Sequence, residues 1–246
     1  MKPTVVILTY CENPALAYGT LLVFDTLRVG FPTNDIVVID NGSHFDIRQK
    51  IKTAAILAGC SFVQKERFNF VDHYQWVLLN QTQWSSVVLL DPDVVFWDEM
   101  KYESEDVLMS GRLIPEFKRK NIVSMPRLHP SNLYFPNLQH LRSKIAEIPS
   151  WGFNSIGQIS AAMNGVIYSW DTCAPLYHAF KNNCLAFKEA QLNLYDHLFY
   201  GSHLPLLTKL KETDVPSIAH NLVKNNRVAE LKHIWLAQDK YFAEMA

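Results

Sequence analysis

Two carboxylates one residue apart, Asp91 and Asp93, follow the apolar run Val87-Val88-Leu89-Leu90, with Pro92 between them. A run of four apolar residues reads as a strand buried on both faces of a parallel sheet. Ligands of open α/β sheets bind beyond the carboxyl ends of such strands. Aspartates placed there offer hard oxygen ligands suited to Mg²⁺ or Mn²⁺, and a cation so held is well placed to grip a diphosphate. Pro92 stiffens the spacing because its φ is nearly fixed. Alone, an Asp-x-Asp match describes two solvated carboxylates in a turn, so its weight depends on the elements around it.

Those elements alternate. Thr4 to Leu8 is a β-rich apolar run, and Asn13-Pro14 opens a helix with a capping side chain and a proline at its first position. Leu16, Thr20, Val23, Phe24 and Leu27 recur at helical spacing up to Gly30. Ile36 to Ile39 is a second buried strand, ending in Asp40-Asn41-Gly42-Ser43. A helix from about Phe45 to Ala58, a short strand from Ser61 to Gln64 and a helix over Val71 to Gln83 lead into the strand that stops at Asp91. Strand and helix in turn predict a doubly wound, mostly parallel sheet. After Trp97 the pattern weakens. Residues 98–120 are polar with little periodicity, Asn121 to Met125 reads as a strand, and Pro126 to Trp151 is irregular apart from Asn137 to Ala146. Helices are expected over Asp171 to Asn182 and Lys188 to Tyr200. A last strand is expected from Val215 to Ala219, and an amphipathic helix from Arg227 to Glu244.

The chain has 246 residues, 48% of them apolar and 19% charged, with a net charge of −1. This composition buries a sizeable core and excludes a disordered chain. It gives no global electrostatic footprint for nucleic acid. Cys11, Cys60, Cys173 and Cys184 lack metal-binding spacing and fit reduced thiols. No apolar stretch is long enough to span a bilayer, and no leader precedes the first strand, so a cytoplasmic location is expected.

Three segments, Val5-Val6-Ile7-Leu8-Thr9-Tyr10, Asp40-Asn41-Gly42-Ser43 and Asp91-Pro92-Asp93, stand in an order and spacing that resemble the nucleotide-binding half of GT-A-fold glycosyltransferases, the family 2-like group in particular. The resemblance covers roughly residues 4–97. It implies one α/β, GT-A-like domain with helices on both faces of the sheet and an elaborated C-terminal half. Residues 1–97 would bind the nucleotide sugar and residues 98–246 the acceptor. It further implies sugar transfer from a nucleotide sugar, a UDP-sugar first, to an acceptor hydroxyl with Mn²⁺ or Mg²⁺. The acceptor stays open among glycan, lipid-linked sugar, protein and modified nucleic-acid base.

The resemblance assigns residues as follows. Thr9 and Tyr10 lie where the base sits, and Asp40 receives uracil or ribose. Asp93 binds the metal, and Asp91 reaches the ribose or a metal-bound water. His220, at the end of the last expected strand, is the candidate third metal ligand. Asn164-Gly165, within Ala161 to Val166, would line the sugar pocket, with a β-bulge as the alternative. Trp151-Gly152-Phe153 would supply an aromatic platform. The acidic pair usual in inverting enzymes is not present in its familiar form, and Asp196 and Glu189 are the candidate bases. Two other readings compete. A sugar-nucleotide nucleotidyltransferase would need a glycine-rich basic loop after the first strand, where this chain has Thr9-Tyr10-Cys11-Glu12-Asn13-Pro14. A non-catalytic nucleotide- or sugar-binding module would keep the sheet without turnover.

Overall fold

The computed structural model describes residues 2–11, 14–66, 74, 76–103, 106–148 and 159–197. The first hundred residues alternate as expected: β1 (Thr4–Thr9), α1 (Pro14–Gly30), β2 (Ile36–Asn41), α2 (Phe45–Leu57), β3 (Ser61–Lys65), a π-helical turn (Trp76–Asn80) and β4 (Val87–Leu90). β1 pairs in parallel with β2 and β4, and β2 with β3. Successive residues of β1 and β4 serve opposite faces. Val5, Ile7, Val88 and Leu90 pack with Phe24, Leu27, Ile47 and Ile51 of α1 and α2. Val6, Leu8, Val87 and Leu89 pack with Val77, Leu78, Leu138 and Leu141. Burial on both faces is why these strands read as unbroken apolar runs.

The second half departs from expectation. Residues 98–120 contain β6 (Met109–Ile114) and β7 (Phe117–Arg119), which followed the short strand β5 (Val94–Phe96). The stretch taken as irregular holds β9 (Arg127–Phe135), a nine-residue strand in the interior of the main sheet. β9 runs antiparallel between β4 and β6, and β12 (Cys184–Ala186) closes that edge, so the order is β12-β6-β9-β4-β1-β2-β3. A smaller sheet holds β10 (Ile159–Met163), β11 (Val166–Trp170), β8 (Ile122–Ser124) and β7. The helix Leu138–Ala146 forms as expected, its first turn capped by Asn137, which accepts from the His140 amide at 2.9 Å.

Two helices are shorter than their periodicity suggested. The first spans Ala174–Ala179, followed by a 3₁₀ turn at Lys181–Asn183. The second spans Glu189–Leu192 only, and the chain then extends into β13 (Tyr195–His197), which pairs antiparallel with β5. Long-range pairing overrides helical propensity there. The helix expected over Val71 to Gln83 falls partly outside the described residues, and its described turn is π-helical and ends at Asn80. The strand and helix expected after residue 200 lie outside the described residues. Among the described residues no helix is long and apolar enough to cross a membrane. All four cysteines are free thiols.

Candidate functional site

The site forms where β4 ends. The Asp91 amide donates to the Ser131 carbonyl of β9 at 3.1 Å, a last ladder bond before Asp91, Pro92 and Asp93 turn the chain into β5. Asp93 is buried and Asp91 nearly so. Their side chains converge on His197. Its Nε2 lies 2.8 Å from Asp93 Oδ1 and 3.6 Å from Asp91 Oδ2. The imidazole reaches them because β13 pairs with β5, bringing His197 opposite Val94. The fully buried Tyr74 donates its hydroxyl to Asp91 Oδ1 at 3.0 Å, which fixes that carboxylate.

A second imidazole comes from β9. The β6–β9 ladder slips between Gly111 and Leu113, a bulge that re-aims the residues near it. β9 passes so close there that a Cβ on Gly111 would stand 2.7 Å from Leu133 Cδ2 and 3.2 Å from the Asn132 carbonyl. His129, within the bulged stretch, has its ring centroid 5.1 Å from that of His197. One ligand atom each from Asp91, His129 and His197 all lie within 4.8 Å of one another. The Ser131 amide donates to His129 Nδ1 at 3.1 Å, so in the neutral ring the proton sits on Nε2.

Burial and neighbours tune these groups in opposite directions. Burial pushes the Asp91 carboxyl up to about 6, against the lowering pull of His197 and Tyr74, with Asp93 adding to the rise. Burial also works to lower His197, but the carboxylates of Asp93 and Asp91 outweigh it and leave its proton affinity raised. Burial, then His197, Arg127 and Arg112, push His129 down to about 2, so it is neutral. Two carboxylates and an imidazole nitrogen held this close form a mixed oxygen and nitrogen donor set. Such a set fits Mn²⁺ better than Mg²⁺, which favours oxygen and water.

The other expected site residues are spread more widely. Thr9 and Asp40 stand opposite each other in the β1–β2 ladder, at the same end of the sheet as Asp91. Asp40 is fully buried; its Oδ1 accepts from Thr9 Oγ1 at 3.4 Å and its Oδ2 from the Ser43 amide at 3.1 Å. Ser43 Oγ accepts from the Cys11 amide at 2.9 Å, and Gly42 has φ 79°, so this turn ties the ends of β1 and β2 together. Tyr10 is half-buried beside it. Asn164 and Gly165 form the tip of the β10–β11 hairpin, not a bulge; both have positive φ, as a tight hairpin turn requires, and both are exposed. Glu189 is exposed at the start of its one-turn helix, and Asp196 lies on β13 opposite Val95, not in a helix. His220 and Trp151-Gly152-Phe153 lie outside the described residues.

His197, His129 and Tyr74 line this cluster, and sequence reasoning had not singled them out. His197 directly follows the candidate base Asp196, and a three-residue strand is too short to show the alternation that would have marked it.

No family model matches the sequence, and no curated protein matches it in sequence. Solved structures do. The bifunctional glycosyltransferase WbbM, in its apo form, gives a TM-score of 0.50 at 12% identity, over 75% of this chain and 38% of that one. The galactosyltransferase LgtC, in complex with donor and acceptor sugar analogs, gives 0.47 at 13% identity, over 74% and 72%. The mannosyltransferase PcManGT from Pyrobaculum calidifontis, in complex with GDP-Man and Mn²⁺, gives 0.47 at 14% identity, over 77% and 56%. Nucleotidyltransferases stand among the lower-scoring likenesses. With its mostly parallel sheet, its helices on both faces and its likeness to WbbM, the chain has the GT-A glycosyltransferase fold.

Proposed function

We propose that this chain is a metal-dependent glycosyltransferase, a hexosyltransferase moving a sugar from a nucleotide sugar to an acceptor hydroxyl, with a UDP-sugar as the first donor to test. The observation that carries this reading is the convergence of Asp91, Asp93 and His197 at the carboxyl end of β4. These three side chains are the proposed ligands of Mn²⁺ or Mg²⁺, with His197 taking the part first expected of His220. A divalent cation bound there neutralises charge that builds on the departing nucleoside diphosphate. Tyr74 holds Asp91 in orientation through its hydroxyl.

The remaining roles follow from the family likeness. Thr9, Tyr10 and Asp40 shape the nucleoside end of the cleft, within residues 1–97. Asn164 and Gly165 belong to the second half, residues 98–246, proposed to meet the sugar and the acceptor. Asp196 is the proposed base, adjacent to His197, with Glu189 second; proton transfer by such a group supplies about 10²–10⁴ in rate. Asp196→Asn should therefore spare donor binding and lower transfer.

A nucleotidyltransferase is the weaker reading, because the stretch Thr9 to Pro14 holds no glycine, lysine or arginine to grip a triphosphate. The deciding experiment screens nucleotide sugars for hydrolysis with Mn²⁺, alongside thermal shift with UDP and Mn²⁺ alone and together. A transferase stabilises with the pair and slowly hydrolyses one donor. A binding module stabilises without turnover. No response to any nucleotide with Mn²⁺ refutes both.

A further inference from the structure

Two arginines beside the carboxylates have no task in the metal reading. Arg127, at the start of β9, is nine-tenths buried. Its Nη2 meets Asp171 Oδ2 at 2.7 Å, but among the described residues its Nε and Nη1 have no hydrogen-bond partner. Ser131 Oγ, on the same strand and 1% exposed, has none either. Arg112 is the β6 residue at which the ladder to β9 slips. It is half-buried and makes no hydrogen bond or salt bridge to any described residue. Both guanidinium groups are close enough to act electrostatically on His129, and Arg112 also acts on His197.

Buried N–H groups left unpaired by their own protein are costly, and a guanidinium fork matches the paired oxygens of a phosphate. The charge balance points the same way. With neutral imidazoles, Asp91, Asp93 and Asp171 exceed the two arginines by one negative charge. A divalent cation turns that into one positive charge, which an oxyanion then meets.

We propose that Arg112 and Arg127 form an anion subsite that grips the pyrophosphate group of the donor beside the cation, an assignment that rests on the metal-site reading above. Arg127 is shared between Asp171 and this anion, so Asp171 weakens the grip.

Calorimetric titration of the whole chain with inorganic pyrophosphate, with and without Mn²⁺, tests this. Arg112→Gln should bind pyrophosphate about tenfold more weakly, the loss of one charge-assisted hydrogen bond, with Mn²⁺ affinity not reduced and circular dichroism unchanged. Asp171→Asn should bind pyrophosphate more tightly than the parent, and that gain should vanish when Arg127→Gln is added, whereas a gain from the lost negative charge alone would persist. Parent-like pyrophosphate affinity in both variants overturns the subsite while leaving the metal site standing. If the parent chain binds no Mn²⁺, the metal reading fails, and pyrophosphate alone then decides: a tenfold loss in Arg112→Gln keeps the subsite, and equal or absent binding removes it.

Discussion

His197 and Asp93 meet at 2.8 Å although 104 residues separate them in the chain. One imidazole nitrogen faces a carboxylate from each end of the Asp91-Pro92-Asp93 turn. A proton on that nitrogen and the proposed cation would compete for the same space.

Asp93→Asn removes one of the proposed ligands. Its Mn²⁺ affinity should fall by more than the roughly 10–100-fold that loss of an outer partner causes, and donor binding should fall with it. The far-ultraviolet circular dichroism should match the parent, because the turn lies beyond the strand rather than inside either core cluster. Unchanged Mn²⁺ affinity by calorimetry would remove Asp93 from the site.

Tyr74→Phe leaves every ligand in place and deletes only the hydroxyl that holds Asp91. It should weaken Mn²⁺ by about 10–100-fold. It should also destabilise the fold by about 1–3 kcal/mol, since a buried carboxylate oxygen loses its donor. Denaturant unfolding and metal titration read the two effects separately.

At the proposed metal site proton and cation would compete, so pH should set metal affinity. Asp91 is pushed up to about 6 and His197 is raised above its ordinary value. Mn²⁺ affinity should climb as pH rises through this range and level off once both groups are unprotonated. Without metal the sign reverses for stability. Both groups bind protons more tightly folded than unfolded, so the stability they contribute is present at low pH and is lost as pH rises through their folded values. His129, pushed down to about 2, acts in the opposite sense up to the ordinary histidine value, so melting temperatures with chelator should decline from about pH 6.5 to about pH 8, as His197 loses its proton, and added Mn²⁺ should offset that decline. A chelated protein that melts higher at the alkaline end contradicts the pairing of His197 with the carboxylates.

Gly30→Ala tests the scaffold rather than the ligands. A Cβ at Gly30 would stand 2.5 Å from Phe96 Cγ and 2.6 Å from Phe96 Cδ1. Phe96 is a core residue of β5, packed edge-on against Phe31 with ring centroids 5.0 Å apart. Relief requires β5 or α1 to move, at about 1–3 kcal/mol for overpacking. β5 carries β13, so Mn²⁺ affinity should fall together with the melting temperature. A lower melting temperature with intact Mn²⁺ affinity would show that His197 is held independently of β5.

The parallel half of the fold was legible because β1, β2 and β4 are covered on both faces and so consist of apolar runs. Asp91 and Asp93 stood out as the abrupt end of such a run. β9 was not legible because its first six residues, Arg127 to Asn132, include the bulge and carry arginine, histidine, proline, serine and asparagine beside the site. Site-lining residues there replace the apolar pattern that marks a strand. β13 was hidden for another reason: three residues carry no periodicity, and only the partner strand makes them extended. His220 was singled out because it ends an apolar run, a cue that a strand held only by its neighbour, such as the one carrying His197, does not offer.

The proposed ligand set is split across the chain, with the aspartate pair early and the histidine delivered by one of the last described strands. During synthesis the pair leaves the ribosome before its nitrogen partner, which is presented only once β13 has paired with β5. Cation capture by this set would thus be a late event, and a loaded metal would report that β13 has docked.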